Sequence, residues 1–254
     1  MGMDYITTIS SALVINAMIA FSRVGTAIIL VPGLGDARIP ARIRIASAVI
    51  LTLALLPALP FTGVEVDKAS VLVGLIAFEA TVGVFIAISV RLFLTSVHIL
   101  GAKIGYTAGL ANALSPNDGN FESASSLSSL MYMGAIVFVF ATNTHHLILS
   151  GLMRSYEAIP VGTLPAMDLA QQIARIGGDA FYIALYVGAP FLVFSILFNA
   201  ALGLANRVMP SMQVFFVASP AMIVLGLLLL SMMIPTIIVV LNNELSNWLQ
   251  DLVR

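Results

Sequence analysis

The stretch of sequence that decides the fold class is ASVLVGLIAFEATVGVFIAISV, residues 69–90. It contains a single charged residue, Glu79, and about 20 such residues are enough to cross the hydrocarbon core of a membrane as an α-helix. Further apolar stretches cover residues 6–32, 45–61, 92–114, 127–149, 176–204 and 212–241. The sequence therefore predicts an all-α, multi-span membrane-embedded protein of six or seven helices.

The composition points to the same class and excludes several others. Hydrophobic residues make up 60% of the chain and charged residues 9%, whereas soluble domains have about 45–50% and about 25%. A net charge of -1 gives no electrostatic basis for binding nucleic acid. The chain has no cysteine, which removes disulfides and thiolate chemistry. No zinc, phosphate-loop or nucleophile motif occurs, so the sequence predicts no catalytic residue, no metal and no cofactor.

Two connections between apolar stretches carry most of the remaining charge. Residues 33–44 contain Arg38, Arg42 and Arg44 against Asp36. Because cytoplasmic loops are enriched in Arg and Lys, this loop is predicted to face the cytoplasm, with the N-terminus outside. Residues 154–175 hold two basic and two acidic residues and two prolines. This second connection is predicted to be a polar surface segment.

Arg23 and Glu79 each interrupt an apolar stretch. A lone charge at the centre of a membrane helix costs about 2.5 to 3.5 kcal/mol, so each charge needs a partner. If successive spans alternate in direction, the two residues differ in depth by roughly 5 Å, which an arginine side chain can bridge. Two interpretations remain open: a proton or ion relay, and a structural pair that locks two helices together.

Glycine recurs every fourth residue at Gly101, Gly105 and Gly109, a spacing that lets another helix backbone approach closely. The turn-forming sequence Ser-Pro-Asn-Asp-Gly-Asn follows at residues 115–120. Residues 105–129 thus resemble a hairpin of small residues. It is either a re-entrant loop that lines or closes a path, or an ordinary exterior turn.

A weak internal repeat relates the two ends of the chain. Residues 33–40 and residues 203–210 both combine Gly-Leu with an Asp or Asn, an Arg and a Pro. Each segment ends one apolar stretch and precedes another. The chain is either built of two related halves with interrupted helices, or the likeness is a coincidence.

Two groups of residues resemble one known family. The first group is Phe-Ser-Arg-Val-Gly at residues 21–25 followed by Ile-Pro-Ala-Arg-Ile-Arg at residues 39–44. The second is more distinctive and comprises Gly203, Asn206, Arg207, Pro210, Gln213, Phe215, Phe216 and Pro220. Both resemble FliR-type proteins, the R subunits of the flagellar type III export gate, in order and along nearly the whole chain. The injectisome counterpart shares this layout.

The resemblance implies a non-enzymatic subunit of an inner-membrane export gate in the flagellar basal body, with helices displaced largely towards the periplasm. The implied partners are the FliP and FliQ subunits, FlhB, FlhA, unfolded flagellar export substrates and the lipid membrane. Residues 1–254 would form one subunit, with residues 1–100 similar to a P subunit and residues 176–254 similar to a Q-subunit helical hairpin. An implied assembly interface contains Gly203, Asn206, Arg207, Pro210, Gln213, Phe215 and Phe216.

The resemblance also makes the small-residue hairpin a plug loop, with Gly105, Gly109, Leu110, Asn112, Pro116, Asn117, Asp118, Gly119 and Asn120 as its candidate residues. The alternative function is a secondary transporter, in which Arg23 and Glu79 would couple ions to a small solute. A gate subunit is expected to co-purify with partner subunits, and a transporter is expected to purify alone.

Overall fold

The computed structural model describes residues 13–36, 38–59, 68–109, 122–163, 165–209 and 214–251. These residues form helices and turns and no β-strand, which confirms the all-α prediction. The helices in this part of the chain are α1 (Leu13–Leu30), α2 (Ala41–Leu55), α3 (Ala69–Thr107), α4 (Glu122–Ala141), α5 (Thr144–Ala158), α6 (Ala166–Val208) and α7 (Val214–Asp251).

Five of the described helices are long and apolar enough to cross a membrane, and six spans result if α4 and α5 count as one broken span. Helix α4 ends at Ala141 and α5 begins at Thr144. Between them Asn143 has a φ of 58°, a left-handed conformation that Asn tolerates better than most residues. The chain is therefore a multi-span membrane protein with an interrupted, bent helix pair. The predicted hairpin at residues 105–129 has its tip outside the described residues.

One boundary predicted from the sequence is wrong. The stretches 69–90 and 92–114 were predicted as separate helices, but they are a single helix of 39 residues that ends at Thr107. The supposed break was Arg91, which is exposed and continues the helix because arginine is a good helix former. The helix ends where Gly109 adopts a φ of 70°, as helices often do at glycine.

Three helices are longer than a membrane is thick. Helices α3, α6 and α7 contain 39, 43 and 38 residues, which corresponds to about 58, 64 and 57 Å. The hydrocarbon core is about 30 Å thick, and a 40° tilt, the upper end of the usual range, still leaves more than about 40 Å along the membrane normal. Part of each of these helices must therefore lie outside the hydrocarbon core.

The described chain divides into two compact units that alternate along the sequence. The first unit takes its described residues from Met1–Arg91, Asn143–Ile176 and Leu245–Arg254. Its core is formed by Ala20, Val24, Ala27, Ile28, Ala48, Leu59, Val82, Phe85, Ile86, Leu152, Tyr156, Ile159 and Leu169.

The second unit takes its described residues from Leu92–Thr142 and Gly177–Glu244. Small residues allow its helices to approach closely. A Cβ atom added to Gly101 would lie 2.7 Å from the Cα atom of Ser128, and one added to Gly226 would overlap the Cβ atom of Ala108. This unit also has an open apolar groove of about 710 Å³, lined by Ala189, Pro190, Val193, Phe194, Leu197, Leu225, Leu228, Leu229 and Met232.

Candidate functional site

Arg23 and Glu79 are in direct contact in the first unit. The Arg23 Nε atom lies 2.7 Å from Glu79 Oε2, and Arg23 Nη2 donates to Glu79 Oε1 at 3.1 Å. The two parallel hydrogen bonds make the ion pair bidentate, the stronger arrangement for arginine and a carboxylate. Both residues have an exposed fraction of 0%. Each charge is thus compensated without help from solvent.

Arg23 and Glu79 make further hydrogen bonds with helix α5 and the segment that follows it. Arg23 Nη1 donates to Ser155 Oγ at 3.2 Å, and Nη2 donates to the carbonyl oxygen of Ile159 at 2.9 Å. The guanidinium also lies 4.0 Å above the ring of Tyr156, which is cation–π geometry. Glu79 Oε1 accepts a longer bond, 3.4 Å, from the backbone N–H of Gly162. One buried ion pair therefore links α1, α3, α5 and residues 159–162.

A π-helical turn at Phe21–Gly25 places Arg23 in the middle of α1. Such single-turn widenings inside α-helices occur often at functional sites. Hydroxyl groups bond to nearby carbonyls of this turn: Ser22 Oγ donates to the carbonyl of Met18 at 2.8 Å, and Thr26 Oγ1 donates to the carbonyl of Ser22 at 2.5 Å. Side chains of this kind compete with the regular helical bonds and bend helices. The turn thereby directs Arg23 towards α3.

Helix α3 can come close to this turn because Gly83 lies one turn beyond Glu79. A Cβ atom added to Gly83 would overlap Thr26 Oγ1 and the carbonyl of Arg23. The absence of a side chain at this position therefore sets the distance between the two helices, and hence the short contact between the two charges.

The arrangement suits a fixed structural link better than an ion relay. Arg23 and Glu79 are completely buried and already bonded to each other, so neither presents a free face to an ion. Neither residue lines the apolar groove of the second unit. Coupling an ion to transport would require the bidentate pair to separate, which is costly for buried charges.

The sequence did not reveal which residues of α5 contact the ion pair. Residues 154–175 were predicted to be a polar surface connection, and this prediction is wrong for the first part of the segment. Ser155, Tyr156 and Ile159 are buried, with exposed fractions of 0%, 3% and 7%. No motif could identify them, because a serine hydroxyl and a backbone carbonyl acquire this role only by their position in the fold.

The candidate plug residues fall mostly outside the described part of the chain. Gly105 is buried in α3. Gly109 follows the end of that helix, and a Cβ atom added there would lie 3.4 Å from the sulfur atom of Met222. Leu110, Asn112, Pro116, Asn117, Asp118, Gly119 and Asn120 lie outside the described residues. Their role as a plug stays a prediction.

The candidate interface residues lie around the connection from α6 to α7. Gly203, Asn206 and Arg207 are exposed near the end of α6, which finishes at Val208. Pro210 and Gln213 lie outside the described residues. Phe215 and Phe216 belong to the first turn of α7, and their side chains also lie outside the described part. The interface likewise stays a prediction.

The fold defines a multi-span helical membrane protein in which Arg23 and Glu79 neutralise each other in a fully buried ion pair. A family model described as "Bacterial export proteins, family 1" matches residues 14–248. The chain belongs to this family of bacterial export proteins, the family of the FliR proteins.

Three curated relatives are similar to the chain along most of their length. The chain is 35% identical to the flagellar biosynthetic protein FliR of Caulobacter vibrioides over 90% of this chain and 92% of that protein. It is 28% identical to the FliR protein of Bacillus subtilis over 90% of each chain. The FliR protein of Escherichia coli is 26% identical over 87% of this chain and 86% of its own length. The resemblance drawn from residues 21–44 and 203–220 is thereby confirmed.

Proposed function

We propose that this chain is a non-enzymatic subunit of the flagellar type III protein export gate in the bacterial inner membrane, within the flagellar basal body. The observation that carries the proposal is the similarity, over 90% of the chain, to a flagellar biosynthetic protein of the bacterial export family. In this role the chain contributes part of the pore for unfolded flagellar proteins. Its partners are the FliP and FliQ subunits, with FlhB and FlhA as neighbours.

The physical properties of the described chain fit this role. Three helices extend beyond the thickness of the hydrocarbon core, and large apolar side chains at the end of α6 are exposed: Leu204, Val208 and Met209 at 66%, 77% and 54%. Exposed apolar surfaces of this kind are typical of contact with lipid or with partner subunits, and the proposed role supplies both. The proposed P-like part, residues 1–100, and the proposed Q-like part, residues 176–254, would provide the surfaces that meet those partners.

The buried ion pair weighs against the secondary transporter. A transporter needs an intramembrane charge that an ion can reach, whereas Arg23 and Glu79 are both at 0% exposure. In the proposed subunit the pair instead holds α1, α3 and α5 together so that the unit enters the complex preformed.

Complementation tests the proposal directly. The chain is expressed in a Caulobacter vibrioides strain that lacks its own FliR protein, and export of flagellar subunits, filament formation and swimming are measured. Co-purification with FliP and FliQ is measured in the same cells. We expect export to recover and the three proteins to co-purify. A chain that is present in the membrane, purifies alone and restores no export would contradict the proposal.

The plug loop has a separate test. Residues 110–120 are rich in Gly, Ala, Asn and Ser and have few large apolar side chains, so their contacts are expected to be weak enough to release when a substrate arrives. Shortening this loop should leave folding and assembly nearly intact and make the closed gate permeable to ions and small solutes. Permeability is compared with wild type at equal amounts of assembled complex. Unchanged permeability would refute the plug, and loss of assembly would make the loop a structural joint.

A further inference from the structure

The beginning of helix α2 is the most positively charged part of the described chain. Arg38, Arg42 and Arg44 surround it, against a single acidic residue, Asp36. The first turn of α2 contains no acidic residue, and no side chain caps it. Since the N-terminal end of a helix itself carries a partial positive charge of about half an elementary charge, the arginines and the helix dipole repel each other. This end of α2 therefore favours binding of an anion.

Two of the three arginines have guanidinium groups available for such an anion. Arg44 is partly buried and donates from Nη1 to the carbonyl of Gly35 at 3.4 Å. The guanidinium of Arg38 makes a long contact, 3.9 Å from Nη1 to Asp36 Oδ2, and 62% of the side chain is exposed, while the backbone N–H of Arg38 donates to Asp36 Oδ1 at 3.0 Å. Arg42 is exposed and has no ion pair or hydrogen-bond acceptor among the described residues. Arg38 and Arg42 thus point their charges away from the rest of the chain.

The body of α2 continues from this charged end as an exposed apolar surface. The span Ala41–Ala58 is only 11% buried, against 17% to 44% for the other candidate spans. In α2 itself, only Ala48 and Thr52 are buried. The exposed large apolar side chains of the helix are Ile43, Ile45, Val49, Ile50 and Leu53.

The dimensions of this surface match one leaflet of a membrane. From Arg42 to Leu53 the helix rises about 16 Å, and half of a hydrocarbon core is about 15 Å. A helix with arginines at the headgroup level and apolar side chains for the following 16 Å complements the negative charge of an anionic phospholipid and matches the length of its acyl chains. Arginine forms paired hydrogen bonds with phosphate oxygens, and each basic residue near an anionic surface contributes about 1 kcal/mol.

We propose that α2 is a binding site for anionic phospholipids, with Arg38 and Arg42 on the headgroup phosphate and residues 43–53 against the acyl chains. Lipid fits better than a partner subunit because the exposed large apolar side chains share one face of the helix with the exposed Arg42 at its charged end, and a phospholipid supplies acyl chains and a phosphate in the same order. The site does not depend on the export role. The bound lipid would hold Arg38 and Arg42 at the level of the headgroups of one leaflet.

Lipid titration of the purified, delipidated full chain tests the site. Native mass spectrometry counts bound dioleoylphosphatidylglycerol and, separately, dioleoylphosphatidylcholine. We expect wild type to prefer the anionic lipid, and Arg38→Gln/Arg42→Gln to lower its apparent affinity roughly 30-fold, since each arginine contributes about fivefold. Arg42→Gln alone should lower it about fivefold. Arg38→Lys/Arg42→Lys should retain most of the preference, because a lysine keeps the charge.

The matched control is Arg154→Gln/Arg175→Gln, which removes two exposed arginines elsewhere and should leave the preference unchanged. An equal loss in this control would mean that only net charge matters, and would overturn the site. An unchanged preference in Arg38→Gln/Arg42→Gln would overturn it as well. If that variant keeps its lipids but loses co-purifying membrane proteins, the arginines contact a protein partner instead.

Discussion

The replacement of Glu79 by Gln should destabilise the chain by about 3 kcal/mol. Glutamine has nearly the same shape as glutamate and keeps one acceptor oxygen, but it leaves the charge of Arg23 buried and uncompensated. Breaking a buried ion pair by removing one partner costs about 3 to 5 kcal/mol. We expect the lower end of this range because Arg23 retains its bonds to Ser155 Oγ and to the carbonyl of Ile159.

A double-mutant cycle separates the pair from its surroundings. Arg23→Met removes the charge and keeps an apolar side chain that reaches about as far as Nε, but it leaves the Glu79 carboxylate with the long bond from Gly162. This variant should also lose about 3 kcal/mol or more. The double variant Arg23→Met/Glu79→Gln has no buried charge, so it should lose less than the sum of the two, with a coupling of about 2 to 3 kcal/mol.

The chain contains its own probe for this measurement. Trp248 is the only tryptophan, and its ring centroid lies 6.5 Å from that of Phe85 in the unit that holds the pair. Its fluorescence, followed through denaturant titration in detergent, reports the unfolding of that unit. Strictly additive losses would refute the coupling. A double variant that is stable but inactive in export would refute the structural role and restore the ion relay.

Three further predictions concern local geometry. Gly226→Ala should destabilise the chain by about 1 to 3 kcal/mol in thermal unfolding, because the new methyl group overlaps Ala108. Its control is Gly134→Ala, which should be neutral or slightly stabilising because no atom lies within 4 Å of the new methyl group. Asn143→Val should destabilise the α4–α5 connection by about 1 to 2 kcal/mol since a β-branched residue disfavours a φ of 58°, and Asn143→Gly should be tolerated in the same thermal unfolding measurement. Gly105→Leu and Gly109→Leu should lower the yield of the complex with FliP and FliQ, because Gly105 is buried in α3 and Gly109 has a φ of 70°, so a leucine at either position disturbs the packing of the chain itself; a normal yield of complex would contradict this prediction.

The class of the protein follows from the sequence, because repeated apolar stretches of about 20 residues with few charges are stable in a membrane and not in water. The sequence also identified Arg23 and Glu79 as residues in need of partners, since an isolated charge in such a stretch is costly wherever the helix lies. The family signature at residues 203–220 is likewise a local pattern, readable without any structure.

How these elements are joined became clear from the structure. Hydrophobicity alone suggested a break at Arg91, but arginine is a good helix former and is exposed there, so α3 continues over 39 residues. The acceptors that complete the site, Ser155 Oγ and the carbonyl of Ile159, are 132 and 136 residues from Arg23 in sequence. Every residue has a backbone carbonyl, so the sequence does not indicate which of them accepts a hydrogen bond from Arg23. The physical reason is that helices form from contacts within one turn, whereas a buried charge is satisfied by whichever polar atoms the packing of several helices brings to it.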